Sequence, residues 1–306
     1  MMPAALRARM ARALLAWYAC HGRRTLPWRV VRDPYRTLVS EFMLQQTQVE
    51  RVVSAFERFV ARFPDLRSLA AAPTAEVIRA WQGLGYNARA VRLKRVAEIA
   101  VERYGGAIPD DEAALRALPG IGPYTAAAIL AFAYDRPVAA VDVNLRRVIH
   151  RLIFGAEYPP AVSAARLDAI AGELVSRRRA HDWNSAMMDL GATICTARAP
   201  RCMICPLRRL CAATPLDATR LDALRARYGR RAARERFEHS ARYLRGRIVD
   251  RLRALPDGAT VSLLDLHREL CDLVPRRTPE EFGEMVEALE RDGLVARNGD
   301  LVRLRE

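Results

Sequence analysis

Lysine is almost missing from this 306-residue chain: Lys94 stands alone, although lysine and arginine together number 50 against 35 acidic residues. The net charge of +15 therefore comes almost wholly from arginine. Long apolar runs are missing too. None approaches the roughly 18 residues of a membrane span, which excludes a spanning protein and leaves a soluble one as the expectation. Cysteines are few and unevenly placed, with four of the six between Cys195 and Cys211. That crowding excludes a disulfide framework spread over a secreted domain and points to metal in a reducing compartment. Cys20 and Cys271 lie far away and are expected as small buried apolar residues. Internal repeats, low-complexity tracts and persuasive alternating strands are absent before residue 194.

A soluble chain this basic meets a polyanion, with nucleic acid the commonest. The Arg-rich start is not read as a targeting peptide, because Leu6, Met10, Leu14, Leu15 and Tyr18 recur at the helical spacing of a folded core. Helical periodicity dominates to about residue 194, over Val49–Phe63, Ala75–Gln82, Arg89–Tyr104 and Glu112–Leu118. After Cys211 the composition changes, so a boundary is set near 213, with 214–240 as a basic linker or loosely packed basic helix. Beyond it Ala241–Leu255, Ser262–Cys271 and Glu280–Asp292 are predicted helices. Asn298-Gly299 between apolar segments of Leu294–Leu304 predicts a hairpin. That order suggests a small winged-helix-like module over 241–306.

Four motifs carry chemistry. Leu118-Pro119-Gly120-Ile121-Gly122-Pro123-Tyr124-Thr125 between two helices is the helix-hairpin-helix signature. Gly120 and Gly122 allow a tight turn that offers backbone N–H groups to a phosphate beside a helix N-terminus. About 20 residues on stands Asp142, which suits an N-cap for Leu145–Ile153 and equally a carboxylate that stabilises positive charge on a deoxyribose losing its base. In Ser40-Glu41-Phe42-Met43-Leu44-Gln45-Gln46-Thr47, a charged Glu41 sits in an apolar helical stretch. A buried glutamate has a raised pKa and can keep a proton for a leaving purine. Gln45 and Gln46 suit filling the gap that a flipped nucleotide leaves. The fourth motif is Cys195-x6-Cys202-x2-Cys205-x5-Cys211. Four thiolates suit zinc or iron–sulfur by count, and the single Cys-x2-Cys with long unequal flanks favours the cluster. Arg198 and Arg201, threaded among the cysteines, suggest a loop that also touches phosphate.

Together with Leu26-Pro27-Trp28-Arg29, Gly83-Leu84-Gly85-Tyr86 and Asn184–Ala192, these motifs give residues 17–213 a resemblance to the MutY-type adenine glycosylases. The resemblance implies an all-α core of two lobes with duplex DNA between them. The helix-hairpin-helix lobe falls at about 32–142, and the [4Fe-4S] cluster lobe takes 1–31 plus 143–213. It implies that Glu41 protonates a flipped adenine, that Asp142 supports the oxocarbenium ion, and that Asn144, Tyr124 and Arg29 line the site. Gln46 and Tyr86 would push into the base stack, with Thr47 beside them on the DNA. The related endonuclease III enzymes place a strand-cleaving lysine where Tyr124 stands, so base excision alone is expected. The implied partner is duplex DNA with a mismatched or oxidised base pair, met by a monomer at the bacterial nucleoid in the cytoplasm. Two features depart from the family. Val143 replaces a usual glycine, and residues 214–306 are too short and too helical for the Nudix-like domain that reads 8-oxoguanine; Phe237–Ser240 is a candidate substitute for a probing loop. A thymine or uracil glycosylase at G mismatches is the nearest alternative, and a non-catalytic DNA-binding protein a further one.

Overall fold

The computed structural model describes residues 2–157, 160–214, 216, 218–228, 240–270 and 278–306. Cys271 and Phe237–His239 lie outside the described residues. The chain forms two compact units: Met1–Thr37 with Asp110–Arg116 and Ile121–Arg231, and Leu38–Pro109 with Ala117–Gly120 and Ala232–Glu306. These divisions fall elsewhere than a single cut near 213.

The first unit opens with α1 (Ala4–His21), whose Met10, Leu14 and Tyr18 recur every fourth residue and bury one face. That stripe packs on α12 (Ala180–Asp189), and its core is shared with α10 (Val143–Phe154) and α11 (Ala164–Leu174). Cys20 is exposed, contrary to the sequence expectation: it stands two residues past Tyr18, roughly 200° around the helix from the buried stripe. Within this unit are also α2 (Pro27–Val30), α8 (Glu112–Arg116) and α9 (Pro123–Phe132). After Cys211 the basic stretch is partly helical, α13 (Ala218–Tyr228), with Leu221 buried beside Ala213 and Leu216.

Most of α3 (Pro34–Leu44) belongs to the second unit, and from Thr37 to Met43 every residue is buried. Next comes α4 (Val49–Arg62), buried at Val52, Ala55, Phe56 and Phe59 with the 3–4 spacing of an amphipathic helix. A reciprocal Asp65–Ser68 capping box starts α5 (Leu66–Ala71), which lies on α7 (Ala88–Arg103). Between them runs α6 (Thr74–Ala80), followed by Trp81, packed edge-on to Phe59 at 5.8 Å.

The tail joins this second unit. Here α14 (Ala241–Arg253), α15 (Leu263–Leu270) and α16 (Pro279–Arg291) surround a three-stranded antiparallel sheet of β1 (Val261–Ser262), β2 (Val295–Asn298) and β3 (Leu301–Leu304), ordered β1-β3-β2. The predicted hairpin is β2–β3, paired Val295↔Leu304 and Asn298↔Leu301, with Gly299 at φ +60°. Val302 and Leu304 alternate inward, as a half-buried strand requires. The core they join holds Leu244, Ile248, Phe282 and Val286 and continues to Ala75 and Ile78 of α6.

Candidate active site and cluster loop

In the first unit Asp142 ends an extended segment at φ −85° and caps α10. Its Oδ1 accepts the backbone N–H of Asn144 at 2.9 Å and of Leu145 at 2.7 Å. Its Oδ2 accepts from Asn144 Nδ2 at 2.7 Å. The cap thus aims a half-buried carboxylate, and the sequence reading as a cap is compatible with a chemical role. Asn144 Oδ1 in turn accepts from Arg147 Nη2 at 2.8 Å, and Arg147 donates onward to the carbonyls of Gly191 (2.7 Å) and Cys195 (2.9 Å). Gly191 packs against this network: a Cβ there would stand 2.8 Å from the Cβ of Asn144. Val143, the departure from the family, points outward at 75% exposure and leaves this network untouched.

Arg29 is tied to Asp189, its Nη1 donating to Oδ2 at 2.9 Å, and Arg23 reaches the same carboxylate through its backbone N–H and Nε, each at 2.8 Å. Burial pushes the Asp189 carboxyl up, but the two guanidiniums outweigh it and hold it below the usual carboxylate range. Tyr124 lies half-buried in the first turn of α9. In the hairpin before it, Gly120 sits at φ +81°, where only glycine is at ease, and close to Phe42 and Arg92. Gly122 is extended, exposed and free of neighbours on its Cβ side. The first glycine makes the turn and the second leaves room beside the helix start.

Glu41 lies in the all-buried stretch of α3, 6% exposed. It is the one buried carboxyl among the described residues of the second unit. After α3 the chain turns through Gln45, half-buried, and Gln46, exposed at φ +58°. Tyr86 also holds a left-handed backbone, φ +45°. Two strained non-glycine residues in adjacent loops need a structure that over-determines them. Arg89 supplies it. Its Nη1 donates to the carbonyls of Phe42 (2.8 Å), Met43 (2.9 Å) and Gln45 (2.6 Å), and its Nη2 to Leu84 O (3.0 Å), Gly85 O (2.9 Å) and Thr47 Oγ1 (3.1 Å). Orphan carbonyls at the end of α3 are satisfied by this one side chain. Thr47 is thereby turned inward by Arg89. Sequence reasoning missed Arg89, whose only signal is its place on the buried face of α7 beside Ala90 and Leu93.

The cysteines close the first unit. A five-residue π-helix, Leu190–Ile194, delivers Cys195; Cys202 and Cys205 bracket a 3₁₀ turn, and Cys211 follows another at Arg208–Leu210. Burial raises the Cys195 thiol, and burial together with charge on Cys195, Cys211 or Cys202 pushes Cys205 up to about 11. Four neighbouring cysteines, two of them with thiols that burial keeps protonated, are a donor set that becomes thiolate against cationic iron. Among the described residues no three His, Cys, Asp or Glu stand at the spacing of a single-ion site. By count and donor chemistry Cys195, Cys202, Cys205 and Cys211 fit an iron–sulfur cluster. Buried Arg151 braces the loop, donating to Thr196 O (2.8 Å) and Ala197 O (3.1 Å), 3.5 Å from Cys195 Sγ, and paired with Glu157 at 2.8 Å. Arg198 and Arg201 are exposed, and Arg201 donates to Thr193 O. Lys94, the lone amine, is buried and bonded to Glu98 (2.5 Å) and Ala70 O (2.9 Å). No helix among the described residues is long and apolar enough to cross a membrane.

Comparison with known proteins agrees with this geometry. Residues 39–171 match the HhH-GPD superfamily base excision DNA repair proteins, and residues 195–211 the iron-sulfur binding domain of endonuclease III. The chain is 40% identical to an adenine DNA glycosylase of Mycolicibacterium smegmatis, an alignment that covers 94% of this chain and 92% of the relative. Against the adenine DNA glycosylase of Homo sapiens it is 40% identical over 66% of this chain and 38% of that one. Among solved structures, a thermostable thymine-DNA glycosylase superposes with a TM-score of 0.63 at 32% identity, covering 68% of this chain and 96% of that one. An endonuclease III–DNA complex, at 22% identity and a TM-score of 0.59, shares the fold over 70% of this chain and 97% of its own.

Proposed function

The chain belongs to the adenine DNA glycosylases of the HhH-GPD superfamily, and from that footing we propose that it excises adenine opposite 8-oxoguanine or guanine, without cutting the strand. It is a DNA N-glycosylase of base excision repair that carries the iron–sulfur motif. The observation that carries the mechanistic reading is the Asp142 carboxylate, fixed by two backbone N–H groups and the Asn144 amide. A preorganised anion stabilises developing positive charge on a sugar without reorganising at the moment of reaction. Glu41 donates its proton to N7 of the flipped adenine; the C1′–N9 bond breaks, Asp142 supports the oxocarbenium ion, and water adds at C1′ while giving a proton back to the Glu41 carboxylate. Adenine leaves neutral and an abasic site remains. Tyr124 offers no amine there, and buried, ion-paired Lys94 is ill-suited to supply one, which supports monofunctional chemistry.

The cluster, held by Cys195, Cys202, Cys205 and Cys211, supplies a structural staple for a loop that offers Arg198 and Arg201 to phosphate. Arg29 holds Asp189 behind the site, Gln45, Gln46 and Tyr86 meet the DNA with the inward-turned Thr47 beside them, and Gly120 and Gly122 grip its backbone. Residues 241–306 follow the helix–strand–helix–helix–hairpin order of a winged-helix module, standing in place of a Nudix-like domain behind the 214–240 linker. The enzyme works as a monomer at the bacterial nucleoid.

Single-turnover excision on duplexes carrying A opposite 8-oxoguanine, A opposite G and T opposite G, read with and without alkali, tests this reading. Alkali-dependent breaks at adenine are expected, and Glu41→Gln should bind yet lose at least a hundredfold in rate. Breaks at thymine alone would move the substrate toward that of the thymine-DNA glycosylase it superposes on. Unchanged cleavage by Glu41→Gln would remove its role as acid.

A further inference from the structure

The second unit holds an open trough of about 770 Å³ whose walls are the Gln45–Gln48 turn, the Gly83–Arg89 loop and the polar face of α14. Seven arginines line it against two aspartates. Arg51 and Arg92, on the near wall, carry no ion pair among the described residues. On the far wall Arg247 is exposed and only loosely paired with Asp250, at 3.7 Å. A polyanion is the complement of such a surface.

Two further observations indicate what kind. Gly246 stands inside α14, where glycine costs the helix stability relative to alanine. No packing requires it: an added Cβ would meet nothing within 4 Å. A glycine that lines the trough without a structural need leaves room for another backbone to approach closely. Across the trough, Arg242 donates to the hydroxyl of Tyr86 and lies over its ring at 5.2 Å, while Arg89 sits 5.5 Å from the same ring. Left-handed Tyr86 is therefore held by the tail as well as by its own loop.

We propose that this trough is a strand-binding site of the tail. In it the phosphodiester backbone facing the excised adenine passes Gly246 and Arg247, while Arg242 acts as a positioning residue for Tyr86. The proposal rests on the reading of Tyr86 as a residue that enters the base stack. It gives the C-terminal residues a part in mismatch recognition with no Nudix-like domain.

Binding of the full chain to an A·8-oxoguanine duplex and its matched A·T counterpart, measured across a salt series, tests it. Arg247→Ala should lower the slope of log affinity against log salt by about 0.9, one phosphate contact. Arg268→Ala, an exposed arginine of α15 away from the trough, serves as the charge control. Arg242→Ala should reduce the preference for the mismatched duplex about three- to tenfold, and Tyr86→Phe in that background should add little, because both remove one contact. Gly246→Ala should raise the melting temperature, showing that α14 tolerates a side chain, while Gly246→Leu weakens binding about tenfold or more. Gly246→Leu binding like wild type, with Arg247→Ala matching the Arg268→Ala slope, would overturn the proposal. Failure of the adenine reading is separable, since wild-type protein would then release no adenine while the trough variants still shifted the salt slope.

Discussion

Replacing Arg89 by methionine keeps most of the buried stem and removes the guanidinium. Six acceptors, at 2.6 to 3.1 Å, lose a charged donor together: the carbonyls of Phe42, Met43 and Gln45 at and just past the end of α3, two in the Gly83–Tyr86 loop and the Thr47 hydroxyl. Among the described residues only weaker bonds to Gly85 O from the Trp81 indole (3.3 Å) and to Gln45 O and Leu84 O from the Thr47 hydroxyl (3.4 Å each) remain. Each charge-assisted bond is worth about 1.5–3 kcal/mol. They share four N–H protons, so the values do not add, and about 3–5 kcal/mol is the reasonable total for breaking a buried charged network. Set against a stability of roughly 5–15 kcal/mol, that is about a fifth or more. Burial pulls Arg89 down to about 10, so it is a cation at neutral pH and the bonds stay charge-assisted. The loss should fall hardest on the two left-handed residues, Gln46 and Tyr86. Urea unfolding followed by tryptophan fluorescence reports the global term, because Arg89 lies 5.4 Å from the Trp81 ring. Hydrogen exchange over 83–88 reports the local one. Arg89→Lys should recover less than half, since a compact ammonium cannot span both loops. A methionine variant within about 1 kcal/mol of wild type, with unaltered exchange and excision, would refute the argument.

Three further outcomes are expected. Gly191→Ala forces a Cβ to within 2.8 Å of Asn144; displacement of that amide should slow single-turnover excision about tenfold and cost about 1–3 kcal/mol in denaturation. Arg151→Leu leaves Glu157 buried without its partner and two carbonyls of the cysteine loop without their donor. Stability should fall by about 3–5 kcal/mol, with iron per protein falling alongside it, and full iron content at the wild-type midpoint would count against the brace. His181 is held below its usual range by burial and by Arg32 and Arg29, which outweigh its bond to Asp182; Asp135 accepts its backbone N–H, and Phe132 covers the ring. The unfolded chain therefore binds a proton that the folded one refuses, so stability should drop as pH falls from about 7 through 6.5. In His181→Gln that part of the acid slope should vanish.

The helices were legible because each announces itself locally. Val52, Ala55, Phe56 and Phe59 mark α4, Asp142 caps α10, and Asn298-Gly299 turns β2 into β3, all within a few residues of chain. What was not legible is non-local. Arg89 is one arginine in a chain full of them, and nothing near it in sequence says that its partners lie some 45 residues earlier. Gly191 is an ordinary glycine until Asn144 is packed on it. The tail shows its own amphipathic faces, but not that Ile78 of α6 completes its core. Cys20 misled because cysteine's general preference for burial carries less information than its angle on α1. Glu41 shows the limit of composition: taken alone, a glutamate at that place is more often a surface residue, and only the other motifs beside it favoured an acid role.

The isolation of Lys94, buried and held by Glu98 and Ala70, bears on how the protein can be regulated. All the other side chains in its cationic surface are guanidinium, which keeps its charge across the whole physiological pH range. Acetylation, a common means of neutralising a nucleic-acid-binding protein, has no accessible side-chain amine to act on. Its hold on a polyanion would thus be graded by ionic strength or competing ligands rather than by lysine acylation.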